Sequence, residues 1–440
     1  MMGASSRDGY VNAVPKTVAF CTLGCKVNQY DSQAMLEKFL EAGFSQVDFD
    51  QAADVYVVNT CVVTAAGEQK SRQMLRRALR QNPEAQLVAA GCLAQKDADK
   101  LKGLGVRLVV GNQHRGSVVA LLEDAVAKGQ QTVAVESISR IPYEPLGISR
   151  QEGRSRANVK IQEGCDRFCA YCIIPYVRGT IRSRAPEDIA LEVRRLAQAG
   201  YREMVLTGIH LSSYGRDLQN VTLLDAVREI SRMPGIDRIR LGSLEPVAAT
   251  PEFVKALAEI PQVCPQFHLS LQSGSDEVLR RMRRRYTSAE YLAAAERLKE
   301  AFPGCALTTD LMVGFPGETE EAFGQSLSFC REVGFARMHV FPYSKRAGTE
   351  ADRMPGQLSR ETKARRAKDA IALSEALSES YRKALVGTRQ VVLFETAHEG
   401  CGRGHSPQLI EVEAKGGQPG EIRQVEITGL LGGGLQGTVI

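Results

Sequence analysis

The first quarter of the chain alternates between short apolar, β-branched runs and segments with helical periodicity. The candidate strands are residues 17–22, 54–59, 86–90 and 107–110, and the candidate helices between them are residues 31–42, 68–80 and 117–127. Strands that alternate with helices in this way form a parallel sheet that helices cover on both faces. The pattern therefore predicts a doubly wound parallel-sheet domain over residues 16–128.

The same alternation resumes after a less regular, proline-containing stretch, residues 130–156, which we interpret as a linker. Six further candidate strands follow, at residues 158–162, 203–206, 238–242, 267–271, 306–312 and 337–341. Amphipathic helical segments such as residues 186–199 and 289–301 separate them. Six βα units suit a partial, open (β/α)6 barrel over residues 151–381, with its chemistry at the carboxyl ends of the strands.

The last part of the chain changes character. Residues 357–386 form a long, charge-rich helical segment, and glycines then become frequent around three short candidate strands, residues 391–395, 409–412 and 425–428. Short strands among many glycines indicate a small β domain. We predict a β-barrel over residues 384–440 as the third domain of an α/β protein.

Length and composition narrow the class of protein. At 440 residues the chain is too long for one ordinary core, and two or three domains are the natural expectation. No stretch approaches 18 consecutive apolar residues, and residues 1–15 lack the features of a secretory signal, so we expect no membrane span and a cytoplasmic location. Thiols stay reduced there, so the 11 cysteines indicate metal or redox chemistry rather than disulfides. The formal net charge of +5 permits an acidic partner such as RNA without requiring one.

Three cysteines stand close together directly after the first strand of the expected barrel. Cys165, Cys169 and Cys172 have the spacing C-x3-C-x2-C, and a short loop of this kind can wrap three thiolates around one four-iron cluster, leaving one iron open. The intervening Phe168 and Tyr171 would shield such a cluster from water. The alternative is a zinc knuckle or a set of buried structural cysteines. Structural zinc sites usually have four ligands, and no nearby histidine or cysteine supplies a fourth, so we favour an iron–sulfur cluster.

A second set of three cysteines is dispersed over the first domain. Cys25, Cys61 and Cys92 each follow a candidate strand. In a doubly wound sheet the carboxyl ends of the strands line one crevice, where thiols that are distant in sequence can meet. Buried cysteines are common as ordinary core residues, but three at strand ends are better explained as a second set of cluster ligands. The other cysteines lack such an arrangement, and Cys21, inside the first strand, is expected in the core.

The first triad and its surroundings resemble the radical S-adenosylmethionine (SAM) superfamily. The C-x3-C-x2-C spacing follows the first barrel strand, and glycine-containing turns follow later strands in the matching order. The resemblance implies that Gly208 lies in the loop around the amino group of SAM and that Ser270 and Gln272 contact its ribose and carboxylate. It also implies that Gly314 lets the backbone approach the adenine of SAM.

Over the whole chain after residue 16, the sequence is similar to the methylthiotransferase family. The likeness rests on residues 22–30, 164–176, 178–184 and 268–274. It implies two [4Fe–4S] clusters, one on each set of cysteines, with SAM as a further cofactor. It also implies that residues 384–440 are a TRAM-like RNA-binding domain and that the anticodon stem-loop of a tRNA is the partner. An electron donor such as flavodoxin or ferredoxin is implied as well, whereas the sulfur donor stays unidentified.

Three substrate branches of this family differ at the first cysteine. The phrase GCKVNQY at residues 24–30 resembles the branch that methylthiolates C2 of N6-threonylcarbamoyladenosine, just 3′ of the anticodon in tRNA. Residues 31–33, DSQ, depart from the ETE often found in that branch. The branch implies a transferase that abstracts the C2 hydrogen with a SAM-derived radical and adds a methylated sulfur. The alternatives are isopentenyladenosine in tRNA, an aspartate of a ribosomal protein, or, outside the family, an iron–sulfur electron carrier fused to an RNA-binding module.

Basic residues beyond the triad are candidates for substrate binding. Arg178, Arg182 and Arg184 could hold phosphate or the threonyl carboxylate, although solvated surface arginines fit the pattern equally well. The basic run at residues 280–286 is either an RNA backbone contact or a cluster of charge at a helix end. The histidines at strand ends are expected to be structural: His210, His268 and His339.

Overall fold

The computed structural model describes residues 16–138, 141–151 and 155–440. They form two compact units. The first contains the described residues up to Leu23 together with Asp31–Cys61 and Glu68–Glu136, and the second contains Gly24–Tyr30, Val62–Gly67 and Ser137–Ile440. Over the described residues, no helix is long and apolar enough to cross a bilayer.

The first unit is built on a parallel six-stranded sheet. Its strands are β1 (Thr17–Thr22), β2 (Ser45–Val47), β3 (Val55–Thr60), β4 (Gln86–Gly91), β5 (Leu108–Val110) and β6 (Thr132–Ala134), in the order β2-β1-β3-β4-β5-β6. The helices in this part of the chain are α1 (Lys26–Glu41), α2 (Ala65–Gln81), α3 (Cys92–Lys96), α4 (Ala98–Lys102) and α5 (Val118–Ala127), with a 3-10 turn at Arg115–Ser117. Val57, Val88 and Leu108 of the central strands pack with Phe39 in the core of this unit.

The doubly wound parallel sheet expected from the sequence is confirmed. β1 covers the predicted residues, and β3, β4 and β5 begin and end within one residue of the prediction. The edge strands β2 and β6 were not expected, because three residues are too few to display a strand pattern. β6 pairs with β5, placing Thr132 opposite Leu108, so the interpretation of residues 130–156 as a linker is wrong there.

The second unit contains the barrel-like core. Its strands are β7 (Arg156–Glu163), β8 (Arg182–Ser183), β9 (Glu203–Gly208), β10 (Arg238–Leu241), β11 (Ser243–Leu244), β12 (Gln266–Leu269), β13 (Ala306–Val313) and β14 (Arg337–Pro342). Its helices are α6 (Ile174–Arg178), α7 (Pro186–Gln198), α8 (Leu223–Ser231), α9 (Pro251–Ala258), α10 (Asp276–Arg281), α11 (Ser288–Ala301), α12 (Glu320–Val333) and α13 (Arg360–Lys383), with 3-10 turns at Leu211–Ser213 and Pro246–Ala248. Threonines and serines cap several helices; Thr287, for example, accepts from the amide of Glu290 and forms a capping box with it.

These strands form two four-stranded sheets that continue one another. Their orders are β10-β9-β7-β8 and β11-β12-β13-β14, and every pair is parallel except β7 with β8. Ile239 of β10 pairs with Val263 just before β12, and the amide of Cys264 donates to the carbonyl of Ile239 at 2.8 Å. In the described part of the chain the edge strands β8 and β14 do not pair, so the expected partial, open barrel is confirmed.

The chain ends in a closed five-stranded β-barrel, as expected. Its strands are β15 (Arg389–His398), β16 (Cys401–His405), β17 (Glu411–Lys415), β18 (Ile422–Leu431) and β19 (Gly434–Val439), in the order β15-β16-β17-β19-β18. The sequence pattern indicated β15, β17 and β18 but not β16 and β19, whose glycines resemble those of turns. Gly404 lies inside β16, where a Cβ would overlap the carbonyl oxygen of Leu393, so the glycine permits close approach of two strands.

Buried arginines join this barrel to the amino-terminal ends of the core strands. Arg238 Nη1 donates to the carbonyl of His405 at 3.0 Å, and Arg240 Nη1 donates to the carbonyl of Pro407 at 2.8 Å. Glu203, the first residue of β9, lies between the two guanidinium groups and receives a hydrogen bond from Arg240 Nε at 2.9 Å. The β-barrel therefore lies at the end of the core opposite the carboxyl ends of the strands.

Candidate metal centre and cofactor site

The cysteine loop, residues 165–172, begins at the carboxyl end of β7 and is fixed there by the backbone. Gly164, which precedes it, has a φ of +72°, and a Cβ at this position would overlap the carbonyl oxygen of Thr180. The amide of Cys165 then donates to the carbonyl of Gly179 at 2.9 Å. Glycine is therefore required for the turn that brings the first thiol into the loop.

Ala170 anchors the middle of the loop to two other segments. Its amide donates to the carbonyl of Met282 at 3.0 Å, and its carbonyl accepts from the amide of Ala351 at 2.8 Å. A third backbone bond, from the amide of Cys172 to the carbonyl of Cys169 at 2.9 Å, closes a turn at the end of the loop. The loop conformation is thus set by the surrounding core.

The two aromatic residues of the loop have opposite environments. Tyr171 is partly buried and meets Phe315 edge-on, with ring centroids 6.4 Å apart. This position suits the expected shielding of the thiols from water. Phe168 is 45% exposed, so its ring faces water, and its expected role as a shield stays a prediction.

The three thiols of the loop are partly removed from water and lie within electrostatic reach of one another. Burial raises the pKa of Cys165 to about 11, and the charge of Cys169 contributes. Burial also raises the pKa of Cys172 to about 12, with the charges of Cys169 and Cys165 as further causes. In the described residues no three His, Cys, Asp or Glu side chains converge closely enough for a single metal ion. The three thiols on one loop supply the type and number of donors that a [4Fe–4S] cluster with one open iron takes, so the donor set fits the cluster.

Charged side chains from four segments meet beside the loop. Glu245, directly after β11, lies 2.9 Å from Arg167 Nε and 3.0 Å from His210 Nε2 through Oε2. Its Oε1 lies 3.0 Å from Nη2 of Arg284, whose Nη1 donates to the Sγ of Cys169 at 3.2 Å. Burial alone would raise the pKa of Glu245, but the hydrogen bond from His210 and the charge of Arg284 outweigh it and lower that pKa to about 2. The ionised carboxylate therefore holds Arg284 against the loop.

The sequence pattern did not single out Glu245 or Arg167. An acidic residue between a short apolar strand and a proline is the signal that could have indicated Glu245. Arg284 belongs to the basic run at residues 280–286, and neither interpretation of that run holds for it, because its side chain is 7% exposed and contacts Cys169.

Gly208, expected near the amino group of SAM, ends β9 beside Gln162 of β7. A Cβ at Gly208 would lie 2.8 Å from the Cβ of Gln162, so the glycine allows the close approach. Gln162 Nε2 donates to the carbonyl of Gly164 at 2.8 Å, and its Oε1 accepts from the amide of His210 at 2.7 Å. The turn after β9 is thus tied to the strand that leads into the cysteine loop.

Ser270 and Gln272 follow β12. Gln272 has a φ of +70°, and its backbone bridges to β13 through bonds of 2.9 Å to Asp310 and Met312. The carbonyl of Ser270 accepts from the hydroxyl of Tyr286 at 2.6 Å. Oε1 of Gln272 is buried and has no hydrogen-bond partner among the residues that the structure describes. A buried acceptor in this condition suits a ligand-binding position.

Gly314 follows β13 in a turn held by a buried ion pair. Its φ is +73°, and its amide donates to Oε2 of Glu318 at 2.7 Å. The same oxygen lies 2.7 Å from Nη1 of Arg366 on α13. Gly208, Ser270, Gln272 and Gly314 therefore lie at or just beyond the carboxyl ends of β9, β12 and β13 in one unit. Their contacts with SAM stay predictions.

The three arginines after the triad are buried, at 0% exposure for Arg178 and 3% for Arg182 and Arg184. Their interpretation as solvated surface residues is therefore wrong. Arg178 forms an ion pair with Glu163, and Arg184 forms one with Glu192. Binding of phosphate or a threonyl carboxylate stays a prediction, and in Arg178 and Arg184 an internal carboxylate already balances the charge.

Two of the dispersed cysteines lie at the carboxyl ends of two neighbouring strands of the first sheet. Cys61 follows β3 and Cys92 follows β4, and the last residues of these neighbouring strands, Thr60 and Gly91, are paired. Both cysteines are buried. The strand order reverses between β1 and β3, and ligands of open α/β sheets bind beyond the carboxyl ends at such a point. Cys25 is exposed and directly precedes α1.

Two family models match the chain. The radical SAM superfamily model matches residues 159–330, which include the cysteine loop and Glu245, and that of uncharacterized protein family UPF0004 matches residues 17–111. A threonylcarbamoyladenosine tRNA methylthiotransferase, MtaB, of Bacillus subtilis is 41% identical over 93% of this chain and 93% of its own. The chain belongs to the radical SAM methylthiotransferase family. It is therefore an enzyme, a transferase, and membership of the superfamily implies SAM and a [4Fe–4S] cluster.

One further relative and one solved structure are similar to this methylthiotransferase. A tRNA-2-methylthio-N(6)-dimethylallyladenosine synthase of Natranaerobius thermophilus is 34% identical over 92% of this chain and 93% of its own. The radical SAM methyltransferase TsrM of Kitasatospora setae has a TM-score of 0.56 at 15% identity, covering 74% of this chain and 72% of its own. At that identity the second comparison concerns the fold alone, and it agrees with the radical SAM core.

Proposed function

We propose that this methylthiotransferase modifies C2 of N6-threonylcarbamoyladenosine, the base just 3′ of the anticodon in tRNA, by adding sulfur and a methyl group. The observation that carries this proposal is the 41% identity, along nearly the whole of both chains, to the Bacillus subtilis enzyme named for threonylcarbamoyladenosine in tRNA. The phrase GCKVNQY at residues 24–30 supports the same branch. A tRNA substrate also agrees with a cytoplasmic location, which we include in the proposal.

N6-dimethylallyladenosine in tRNA, which is the same nucleoside as isopentenyladenosine, is the second candidate substrate, and the relative of 34% identity favours it. The two substrates differ in charge, because the threonylcarbamoyl group carries a carboxylate and the dimethylallyl group is apolar. Beside the cysteine loop, Arg167, Arg284 and His210 share the single carboxylate of Glu245. Such an excess of donors for an anion favours the charged substrate.

We propose two sets of cluster ligands in this chain. Cys165, Cys169 and Cys172 would hold one [4Fe–4S] cluster, and the dispersed set would hold a second: Cys25, Cys61 and Cys92. When bound, the clusters and SAM supply the radical and sulfur chemistry that an unactivated C–H bond requires. An electron donor such as flavodoxin or ferredoxin would be the redox partner, and the sulfur donor is unassigned.

The residues of the chain itself would bind, orient and shield the reacting groups. Gly208, Ser270, Gln272 and Gly314 would line the SAM site, with the buried Oε1 of Gln272 available as an acceptor. Arg284 would place positive charge beside Cys169, where Glu245 holds it. Tyr171, packed against Phe315, would exclude water from the inner side of the loop. Preorganised charge in a site without bulk water is effective because solvent does not screen it.

We propose that the carboxyl-terminal β-barrel contacts the tRNA, although its charge is unlike that of most RNA-binding surfaces. Residues 384–440 contain four arginines and lysines against six glutamates. Phosphate contacts depend on Lys and Arg, so the barrel would contribute shape and polar contacts more than electrostatic attraction. Most of the attraction for the tRNA backbone would then come from the core.

Mass spectrometry of tRNA nucleosides from a strain that lacks this gene tests the substrate. We expect loss of 2-methylthio-N6-threonylcarbamoyladenosine and its return with the wild-type chain but not with Cys172→Ala. An unchanged level of this nucleoside in the deletion strain rules out the proposed substrate, and loss of the dimethylallyl counterpart instead selects the second candidate.

Anaerobic reconstitution separates the enzyme from an iron–sulfur electron carrier. We expect the reduced, cluster-loaded protein to release 5′-deoxyadenosine from SAM. Two clusters without 5′-deoxyadenosine would contradict the radical mechanism. Cys264→Ala, at a buried free cysteine outside both sets, is the matched control and is expected to retain the reaction.

A further inference from the structure

In the part of the chain that the structure describes, the exposed aromatic side chains lie side by side, one within the cysteine loop and the other shortly after it. Among the phenylalanines and tyrosines in the part of the chain that the structure describes, Phe168 and Tyr176 alone are exposed, at 45% and 56%. Their rings meet edge-on, with centroids 5.6 Å apart. Single exposed apolar side chains are ordinary on protein surfaces, but the meeting of these two at one place calls for a cause.

The local backbone directs both rings outward. Phe168 has a φ of +47°, a left-handed conformation that residues with a Cβ rarely adopt. Tyr176 lies in α6 between the buried residues Pro175 and Val177, so this short helix presents only its middle residue strongly to solvent. The two rings therefore form an exposed apolar patch, while the residues on either side of Tyr176 are buried in the core.

Exposed arginines lie on both sides of Phe168 along the loop. Arg216, whose side chain is 51% exposed, lies 3.6 Å from Asp166 in the loop. On the other side Arg283, 57% exposed, follows Met282, the residue bonded to Ala170 of the loop. Arg283 pairs with an exposed glutamate, and exposed ion pairs of this kind are weak, so both guanidinium groups can turn toward other anions.

We propose that Phe168 and Tyr176 form a stacking platform for an unpaired base of the anticodon loop, with Arg216 and Arg283 directed to the neighbouring phosphates. The inference rests on the proposed function, from which it takes the RNA. Proteins recognise RNA loops by stacking unpaired bases on aromatic rings, and basic residues along the strand bind the backbone. The platform would hold the loop open at the cysteine loop, where the base to be modified must be presented.

Tryptophan fluorescence tests the platform directly, because the natural chain contains no tryptophan. Phe168→Trp and Tyr176→Trp keep an aromatic surface, so we expect each variant to bind an unmodified anticodon stem-loop RNA at least as tightly as the wild type. Stacking of a base should quench the fluorescence of the single tryptophan. Leu191→Trp is the matched control, because Leu191 is an equally exposed apolar residue of α7, at 56%. Its fluorescence is expected to stay unchanged on addition of RNA.

Removal of the rings gives the second measurement. Phe168→Leu and Tyr176→Leu keep an apolar side chain, and we expect each to weaken binding of a labelled stem-loop by about 5- to 100-fold in anisotropy titrations at fixed salt. SAM binding to the cluster-loaded chain without RNA should be unchanged. Affinity within about twofold of the wild type for both leucine variants overturns the platform. A parallel loss of SAM binding also overturns it, since the rings would then belong to the SAM site.

The outcomes separate this inference from the proposed function. A wild-type chain that binds no stem-loop RNA overturns both. A wild-type chain that binds RNA no better than the leucine variants overturns the platform alone. Binding that depends on the rings, without methylthiolated nucleoside in the deletion and complementation experiment, supports the platform and overturns the proposed substrate.

Discussion

Replacement of Glu203 by glutamine is expected to loosen the attachment of the carboxyl-terminal β-barrel to the core. Glu203 is fully buried and lies 2.9 Å from Nε of Arg240 and 3.4 Å from Nη1 of Arg238. The same two guanidinium groups donate to the barrel carbonyls of His405 and Pro407. The substitution keeps the shape of the side chain but leaves two buried cations without the carboxylate between them.

The magnitude follows from the cost of leaving a buried charge uncompensated. Loss of one partner of a buried ion pair costs about 3–5 kcal/mol. The arginines keep their carbonyl acceptors and the glutamine oxygen can still accept, so we expect Glu203→Gln to lie near the lower end, about 3 kcal/mol. Asp237→Asn is the control. It breaks the exposed pair of Asp237 with Arg202, 2.6 Å apart at the start of the same two strands, and is expected to cost less than about 1 kcal/mol.

Urea unfolding and limited proteolysis measure the effect. Far-UV circular dichroism should show a lower midpoint for Glu203→Gln than for Asp237→Asn, and proteolysis should release a fragment that begins near residue 384 more rapidly. Equal stability of the two variants, within about 0.5 kcal/mol, would refute the reasoning. It would mean that the arginines are held by the carbonyl groups alone.

The same ion pairs predict a dependence on pH. Burial alone would raise the pKa of Glu203, but the charge of Arg240, with those of other arginines, outweighs it and the pKa lies below its ordinary value of 4.5. A carboxyl group whose pKa is lowered on folding stabilises the fold above its unfolded pKa, and this contribution is lost as the pH falls through the folded pKa. The stability difference between wild type and Glu203→Gln should therefore be constant above about pH 5 and shrink below about pH 4.

Two further predictions concern the cysteine loop. Gly164→Ala should lower the iron content of the reconstituted chain, because the added Cβ would overlap the carbonyl oxygen of Thr180. The control is Gly200→Ala, which is also at a positive φ but has nothing within 4 Å of the added Cβ, so it should keep a normal iron content and lose only about 1 kcal/mol of stability. Equal iron content in the two variants would contradict this prediction. Cys172→Ala should abolish 5′-deoxyadenosine formation and lower the iron content by about one cluster while the fold is retained, and a variant with wild-type iron content would remove Cys172 from the ligands.

Elements with a strong local pattern could be predicted from the sequence. β3 and β4 are apolar runs that are buried on both faces, which leaves a continuous signal in the sequence, and Cys61 and Cys92 can be recognised because they follow these runs directly. β16 and β19 could not be predicted, because a glycine gives the same signal in a turn and in a strand that another backbone approaches closely. Gly402 and Gly437 are of the second kind, each crowded by backbone or side-chain atoms of a neighbouring segment.

The buried arginines were the main feature that sequence could not place. Arg184 and Arg284 stand among polar residues, so nothing local distinguishes them from surface arginines. Arg178 ends the run IIPYVR, whose apolar residues do not show whether the arginine itself is buried. Their burial depends on carboxylates that the fold brings from distant segments, such as Glu192 for Arg184 and Glu245 for Arg284. Ion pairs between distant segments leave no recognisable spacing in the sequence, whereas cluster ligands that lie on one short loop do.

The β-barrel and the cysteine loop lie at opposite ends of the core strands, and this constrains the size of an RNA that contacts both. The amino-terminal ends of β9 and β10 attach the β-barrel through Glu203, Arg238 and Arg240, while the cysteine loop follows the carboxyl end of β7. β7 has eight residues, and at a rise of about 3.3 Å per residue its two ends are roughly 23 Å apart. A nucleoside cannot reach across that distance, whereas a stem-loop can. On the proposed RNA-binding role of the barrel, a stem-loop should therefore bind more tightly than the isolated nucleoside, and the RNA beyond the modified base should affect the affinity more than the chemistry at the loop.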